Sequence, residues 1–91
     1  MQILDYNLVL TCQCCPEQYD VFDSDRKQSG YIRLRGGNFR VYYPDTGGEL
    51  VFYHRFEDDA WKGMFDNDEE REQYLTEAVK AIHNHERRQN T

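Results

Sequence analysis

The chain has 91 residues and a formal net charge of −6, and 14% of its residues are aromatic. This length predicts one domain, residues 1–91, with room for a single modest core. An acidic chain repels nucleic acid at long range, which argues against general nucleic-acid binding. The sequence has no apolar run long enough to cross a membrane and no secretory signal at its start, so we expect a cytoplasmic protein that does not contact membranes.

The negative charge is unevenly distributed along the chain. Residues 1–56 carry seven acidic and six basic side chains, whereas residues 57–91 carry ten acidic and five basic ones. The first part therefore combines near neutrality with a cluster of arginines. The second part is acidic and is suited to a basic surface on a partner, including a groove that normally holds nucleic acid.

The first part of the chain alternates strand-like stretches with turns. β-Branched and aromatic residues are concentrated in residues 6–11, 17–23, 31–35, 39–43 and 50–56, with glycine, proline and polar residues between them. Arg35-Gly36-Gly37-Asn38 predicts a tight hairpin, because glycine adopts positive φ angles without a Cβ clash. The sequence thus predicts a four- to five-stranded, mostly antiparallel meander within about residues 6–56.

Three cysteines follow the first predicted strand, at Cys12, Cys14 and Cys15. In a reducing cytoplasm they should not form stable disulfides. One interpretation is that they pack as small apolar side chains at the end of a strand. A second is a site for zinc or another soft metal with a histidine as fourth ligand, although the C-x-C-C spacing differs from the usual structural zinc motifs. A third is a redox or nucleophilic role, but no histidine stands beside them in the sequence.

The two faces of the predicted meander differ in chemistry. Side-chain alternation predicts a core face made of Ile32, Leu34, Phe39, Val41, Tyr43, Leu50, Phe52 and Phe56. Apart from Val51, the opposite face collects four arginines and three tyrosines, called the Arg/Tyr face below: Tyr31, Arg33, Arg35, Arg40, Tyr42, Tyr53 and Arg55. Arginine supplies charged donor forks and tyrosine supplies flat rings. This face is therefore either a solvated outer surface or a site for a small anionic ligand such as a nucleotide.

The connection at residues 57–67 mixes acidic residues with three large apolar ones. Trp61, Met64 and Phe65 either close the end of the core or present an anchor to a partner protein. Carboxylates here and at the helix start form what we call the acidic segment: Glu57, Asp58, Asp59, Asp66, Asp68, Glu69, Glu70 and Glu72. With Trp61 and Phe65 as anchors, the acidic segment is the first candidate for a partner-binding site.

The last part of the chain predicts one amphipathic helix over about residues 68–88. Four apolar residues recur at helical spacing, namely Leu75, Ala78, Val79 and Ile82. Asp66 or Asn67 is suited to cap the start of this helix. The predicted fold is therefore α+β, a meander with one C-terminal helix packed on its core face.

The sequence carries no recognisable catalytic motif. It has no phosphate-binding loop, no dinucleotide-binding glycine motif, no metalloprotease motif and no serine-hydrolase elbow. Carboxylates are plentiful, but most fall in turns and at the helix start, where solvation and the helix dipole explain them. We therefore expect a protein that is not an enzyme.

Three stretches carry a resemblance to a known group of proteins. CQCCPEQYDVFD, GYIRLRGGNFRVYYPDTGGE and FDNDEEREQYLTEAVKAI resemble small proteins of unknown function encoded by phages and prophages of Gram-positive bacteria. The resemblance covers about residues 12–82 and implies no assigned activity or site. It does imply a context, since small phage accessory proteins are often binders that block or sequester components of host defence, as anti-CRISPR proteins and nucleotide-signal sponges do.

Three functional hypotheses follow. The leading one is a non-enzymatic, phage-encoded inhibitor that binds a host defence protein, one that itself binds nucleic acid, through the acidic segment. The second is a sponge that binds a small nucleotide signal on the Arg/Tyr face. The third is a small interaction module stabilised by zinc at the three cysteines, and zinc is the only cofactor that the sequence suggests. The exposed edges of so small a sheet also favour a homodimer.

Overall fold

The computed structural model describes residues 1–12 and 16–89, except for the side chain of residue 12. These residues form six strands and one helix, and the α+β fold predicted from the sequence is confirmed. The elements are β1 (Gln2–Ile3), β2 (Tyr6–Cys12), β3 (Glu17–Phe22), β4 (Gln28–Arg35), β5 (Asn38–Tyr43), β6 (Glu49–Arg55) and α1 (Asp68–Gln89). The sheet has one strand more than predicted, because β1 has only two residues and leaves no alternating pattern to detect.

The strands lie in the sheet in the order in which they follow one another in the chain. Each strand is antiparallel to the next, which is the predicted meander. The hairpin between β4 and β5 pairs Arg35 with Asn38, and its two turn residues, Gly36 and Gly37, have φ angles of 57° and 77°. Positive φ at both central residues is the geometry that matches the twist of the flanking strands, so this predicted turn is confirmed.

A bulge in β6 changes which of its residues face the core. Val41 pairs with Phe52, but the next residue of β5, Tyr42, pairs with Leu50, so Val51 is the extra residue. Leu50 is therefore 48% exposed, and Val51 packs against the core. The prediction that Leu50 belongs to the core face is wrong, because strict alternation does not anticipate an inserted residue.

Helix α1 packs on the core face through the predicted apolar stripe. Leu75, Ala78, Val79 and Ile82 are all fully buried. Ile82 lies over Gly30 of β4, where a Cβ atom would approach within 2.4 Å of the Ile82 Cδ1 atom. The absence of a side chain at Gly30 therefore allows the helix to lie close to the sheet.

The start of α1 is capped as the sequence predicts. The Asn67 side chain accepts a hydrogen bond from the Glu70 backbone N–H at 2.8 Å. The Glu70 carboxylate in turn accepts one from the Asp66 N–H at 3.0 Å. The first bond satisfies a donor that the first helical turn leaves free, and the second ties the connection to the helix start. In the described part of the chain, no helix is both long and apolar enough to span a membrane.

Candidate functional site

A buried carboxylate fixes the connection between the sheet and the helix. The Glu17 side chain, at the start of β3, is only 5% exposed. One of its oxygens accepts a hydrogen bond from the Phe65 backbone N–H at 3.1 Å. The other accepts hydrogen bonds from Arg71 Nε at 2.8 Å and from the Tyr19 hydroxyl. A strand, the connection and the helix are thus joined at one carboxylate.

This network stays charged at neutral pH. Burial alone would raise the pKa of Glu17, but hydrogen bonds from Arg71, Tyr19 and the Phe65 N–H outweigh it and hold that pKa below its usual value. Burial raises the pKa of Tyr19, and the hydrogen bond to Glu17 raises it further. The hydrogen bond to Glu17 also raises the pKa of Arg71. The result is a carboxylate and a guanidinium paired at the base of the connection.

Lys62 holds the connection from the other side. The residue is 5% exposed, and its Nζ atom lies 2.8 Å from Asp66 Oδ1 and 2.9 Å from Glu70 Oε1. The ammonium group also lies 5.1 Å from the centre of the Phe56 ring. Burial alone would lower the pKa of Lys62, but the hydrogen bonds to the two carboxylates raise it above its usual value. Asp66 and Glu70 of the acidic segment therefore share one positive charge within the molecule, and Asp68 of the same segment pairs with Arg71.

The β4–β5 hairpin turn holds the connection against the sheet by hydrogen bonds. The Gly37 N–H donates to the Lys62 carbonyl at 2.9 Å, and the Gly37 carbonyl accepts from the Phe56 N–H at 2.8 Å. A Cβ atom at Gly37 would lie 2.7 Å from the Asp59 carbonyl oxygen. Because only glycine leaves room for this approach, the same residue that forms the hairpin also positions the connection.

Trp61 projects from this anchored connection into solvent. It is 91% exposed, although the next residue, Lys62, is buried. Its backbone N–H donates to the Asp59 carboxylate at 3.1 Å, which fixes the local turn. Glu57 and Asp58 nearby are exposed. The structure therefore presents the only tryptophan of the sequence on a fixed loop among carboxylates.

The predicted partner-binding residues separate into exposed and buried ones. The exposed ones are Glu57, Asp58, Asp59, Trp61, Asp66, Asp68 and Glu69. Phe65 is only 5% exposed, and its ring packs against those of Phe39, Phe56 and Tyr74. The prediction that Phe65 is an exposed anchor is wrong, because its backbone is bonded to buried Glu17 and its ring closes the end of the core.

A groove of about 400 Å³ opens between the connection and the helix start. Its aromatic residues include Phe56 and Tyr74, and four exposed carboxylates of the connection stand among its lining residues. The full lining consists of His54, Arg55, Phe56, Glu57, Asp58, Asp59, Lys62, Asp66, Glu70 and Tyr74. Aromatic rings and carboxylates together suit a cationic side chain, as the position of Lys62 already illustrates.

The strand register brings the seven residues of the Arg/Tyr face together, on the face opposite the helix. Tyr31 pairs with Tyr42 across β4 and β5, and their ring centres lie 6.2 Å apart. Arg33 pairs with Arg40, and Arg40 in turn pairs with Tyr53, whose ring centre lies 5.5 Å from the guanidinium. In the part of the chain that the structure describes, no carboxylate forms an ion pair with Arg33, Arg35, Arg40 or Arg55.

Two amides on this face were not singled out from the sequence. Asn38 Oδ1 accepts hydrogen bonds from the Tyr53 hydroxyl at 2.6 Å and from Arg55 Nη1 at 2.9 Å. Gln18 Oε1 accepts one from the Tyr31 hydroxyl at 2.8 Å. Asn38 alternates with Arg40 along β5, so the same alternation that found the arginines also places it on this face.

The cysteine site stays a prediction. Cys14, Cys15 and the side chain of Cys12 lie outside the described residues. Among the residues that are described, no group of three or more histidine, cysteine or acidic side chains is placed to hold a metal ion.

Comparison of the chain with known protein families, with curated proteins and with solved structures found no match.

Proposed function

We propose that the protein is a non-enzymatic binding protein that captures a basic surface of a partner protein through Trp61 and the neighbouring carboxylates. The observation that carries this proposal is the 91% exposure of Trp61 on a connection whose neighbouring residues Lys62 and Phe65 are buried. Exposed tryptophan is rare in a folded chain, and tryptophan is enriched among the residues that dominate binding energy at protein interfaces.

The anchored loop makes Trp61 an efficient contact. A tryptophan side chain buries on the order of 200 Å². At about 25 cal/mol per Å², its burial contributes on the order of 5 kcal/mol before the costs of association. Hydrogen bonds to Gly37 and ion pairs of Lys62 already order the loop, so little further loop entropy is lost on binding.

Charge complementarity supports a basic partner. Glu57 and Asp58 are exposed, and within the described chain neither forms an ion pair. Carboxylates at the rim of an interface steer a basic partner and speed association. The resemblance to small phage proteins favours a host defence protein as this partner, with the acidic segment occupying its nucleic-acid groove in the manner of an anti-CRISPR protein.

The test is a retention experiment with a defined protein pool. The immobilised protein is exposed to those proteins of a Gram-positive bacterium that bind DNA-cellulose, and the retained proteins are identified by mass spectrometry. The variants are Trp61→Ala and Glu57→Lys/Asp58→Lys. Asp59 is left unchanged because its carboxylate holds the Trp61 N–H. The matched control, Asp25→Lys/Glu77→Lys, makes the same change of charge at exposed positions elsewhere.

We expect that one DNA-binding protein is retained by the wild type and by the control variant. The same protein should not be retained by either site variant, and added DNA should displace it from the wild type. Loss with added salt is also expected, because screening weakens the contribution of the rim carboxylates. A retained set that does not differ between the wild type and the site variants would contradict the proposal.

A further inference from the structure

Two arginines stand directly opposite each other on the Arg/Tyr face. Arg33 of β4 and Arg40 of β5 are paired residues in the sheet. Like charges at directly opposite positions destabilise a sheet. Asp20 lies across from Tyr31 on the neighbouring strand, but it accepts a hydrogen bond from Gln28 and forms no ion pair within the described chain. No carboxylate of the described structure is therefore ion-paired with either of the two opposed arginines, and a bound anion would supply the missing negative charge.

Two further arginines lie one alternation step further along the strands, on either side of Asn38. Arg35 pairs with Asn38, and Asn38 pairs with Arg55. The Asn38 amide oxygen holds Arg55 in place by accepting a hydrogen bond from its Nη1 atom at 2.9 Å. Residues two apart in a strand are separated by about 7 Å. The face therefore offers two cationic positions at a spacing that two phosphates of one dinucleotide can match.

Aromatic rings lie beside these cationic positions. Tyr31 and Tyr42 are adjacent and half-buried, and Tyr53 is 46% exposed beside Arg40. Tyrosine rings stack on nucleic-acid bases irrespective of base identity, and guanidinium groups bind phosphates as bidentate donors. We propose that the Arg/Tyr face binds a dinucleotide that carries two phosphates, at a site separate from Trp61.

The charge of the chain favours a dinucleotide over two other possible occupants of the Arg/Tyr face, a long single strand and a second copy of the chain. A long single strand would bring many phosphates close to a chain of net charge −6, and most of them would meet no arginine. A second copy of the chain packed through the same face would bring four further arginines against the first four. A ligand with two phosphates instead matches the two cationic positions, one at Arg33 and Arg40 and one at the two arginines beside Asn38.

The test is a calorimetric titration with the 5′-phosphorylated dinucleotide pApA. The variant Arg33→Gln/Arg40→Gln removes the opposed arginines while keeping side chains of similar length. The control Arg26→Gln/Lys27→Gln removes the same charge from the exposed turn between β3 and β4. We expect the wild type and the control to bind equally, and the Arg33/Arg40 variant to bind at least about tenfold more weakly, since charge-assisted hydrogen bonds are lost. Trp61→Ala should bind pApA like the wild type.

A second readout separates lost binding from lost folding. Removing opposed like charges should leave the urea midpoint of the Arg33/Arg40 variant equal to or above that of the wild type. Equal pApA affinity in the wild type and the variant, or no pApA binding by the wild type at millimolar concentration, would overturn the proposal. Tighter binding of a long single-stranded oligonucleotide than of pApA would overturn the choice of a dinucleotide.

Discussion

Glu17 and Arg71 form a 2.8 Å ion pair that joins the start of β3 to the first turn of α1 across 54 residues of sequence. The Glu17 carboxylate also accepts the Phe65 N–H, so the pair fixes the connection that carries Trp61. The position of the proposed binding loop therefore depends on a buried charge in the core and not on the loop sequence alone.

The first prediction concerns removal of this buried charge. Glu17→Gln should lower the free energy of unfolding by about 3 kcal/mol, because it leaves the Arg71 guanidinium without its buried partner. Urea unfolding at neutral pH measures the change. The control Glu72→Gln removes an exposed carboxylate next to Arg71 on α1 and should change the free energy of unfolding by less than about 0.5 kcal/mol. Equal effects of the two substitutions would contradict the structural role of the pair.

The second prediction concerns acid stability. The pKa of Glu17 is lower in the folded protein than its ordinary value of 4.5. As the pH falls below that value, the unfolded chain takes up a proton before the folded protein does. The contribution of Glu17 is therefore complete above about pH 4.5 and is lost as the pH falls through the lower folded pKa.

Urea midpoints at neutral pH and at about pH 3 measure this loss. Between these two pH values the urea midpoint of the wild type should fall more than that of Glu17→Gln. The difference between the two midpoints should therefore be smaller at about pH 3 than at neutral pH. A constant difference across the interval would show that the Glu17 pKa is not lowered by folding.

The third prediction separates two roles of the hairpin glycines. Gly36→Ala should cost about 1 kcal/mol, since alanine there adopts a positive φ angle but meets no atom closer than 3.9 Å. Gly37→Ala should cost at least about 2 kcal/mol more, because its Cβ atom would also press on the Asp59 carbonyl. Thermal or urea unfolding of both variants gives the comparison. Equal losses would show that the connection does not lie against this turn.

The fourth prediction tests the bulge at Val51. Leu50→Ala should change the free energy of unfolding by less than about 0.5 kcal/mol, since Leu50 faces solvent. Leu34→Ala, at a fully buried position, should cost about 2–5 kcal/mol. A loss of several kcal/mol at Leu50 would mean that the simple alternation, without the bulge, describes β6.

Alternation explains both the success and the failure of sequence reasoning on the sheet. It placed Arg33 and Arg40 on one face correctly, because β4 and β5 pair without a bulge from the pair Tyr31–Tyr42 to the pair Arg35–Asn38. It failed at Leu50, because one inserted residue reverses the orientation of every residue before it in the strand. The fold class followed from turn residues and helical spacing, which are local signals.

The connection has no repeating pattern, so its side-chain directions depend on distant contacts. Trp61 and Phe65 are equivalent in the sequence as large aromatics among acidic residues, yet one is exposed and the other is buried. The difference arises from the hydrogen bond between Phe65 and Glu17, which are 48 residues apart, so the residues around Phe65 do not predict it. The exposed anchor could therefore be proposed from the sequence only as one of several residues.

The emission of Trp61 during titration with the retained DNA-binding protein tests the central claim most directly. Trp61 is the only tryptophan of this chain. If the partner is prepared so that its own tryptophans do not fluoresce, all the tryptophan emission of the mixture comes from Trp61. Our account predicts a shift of its emission to shorter wavelength as the ring enters the partner, with an apparent affinity that weakens as salt is added. Binding without any change in the emission of Trp61 would contradict the account.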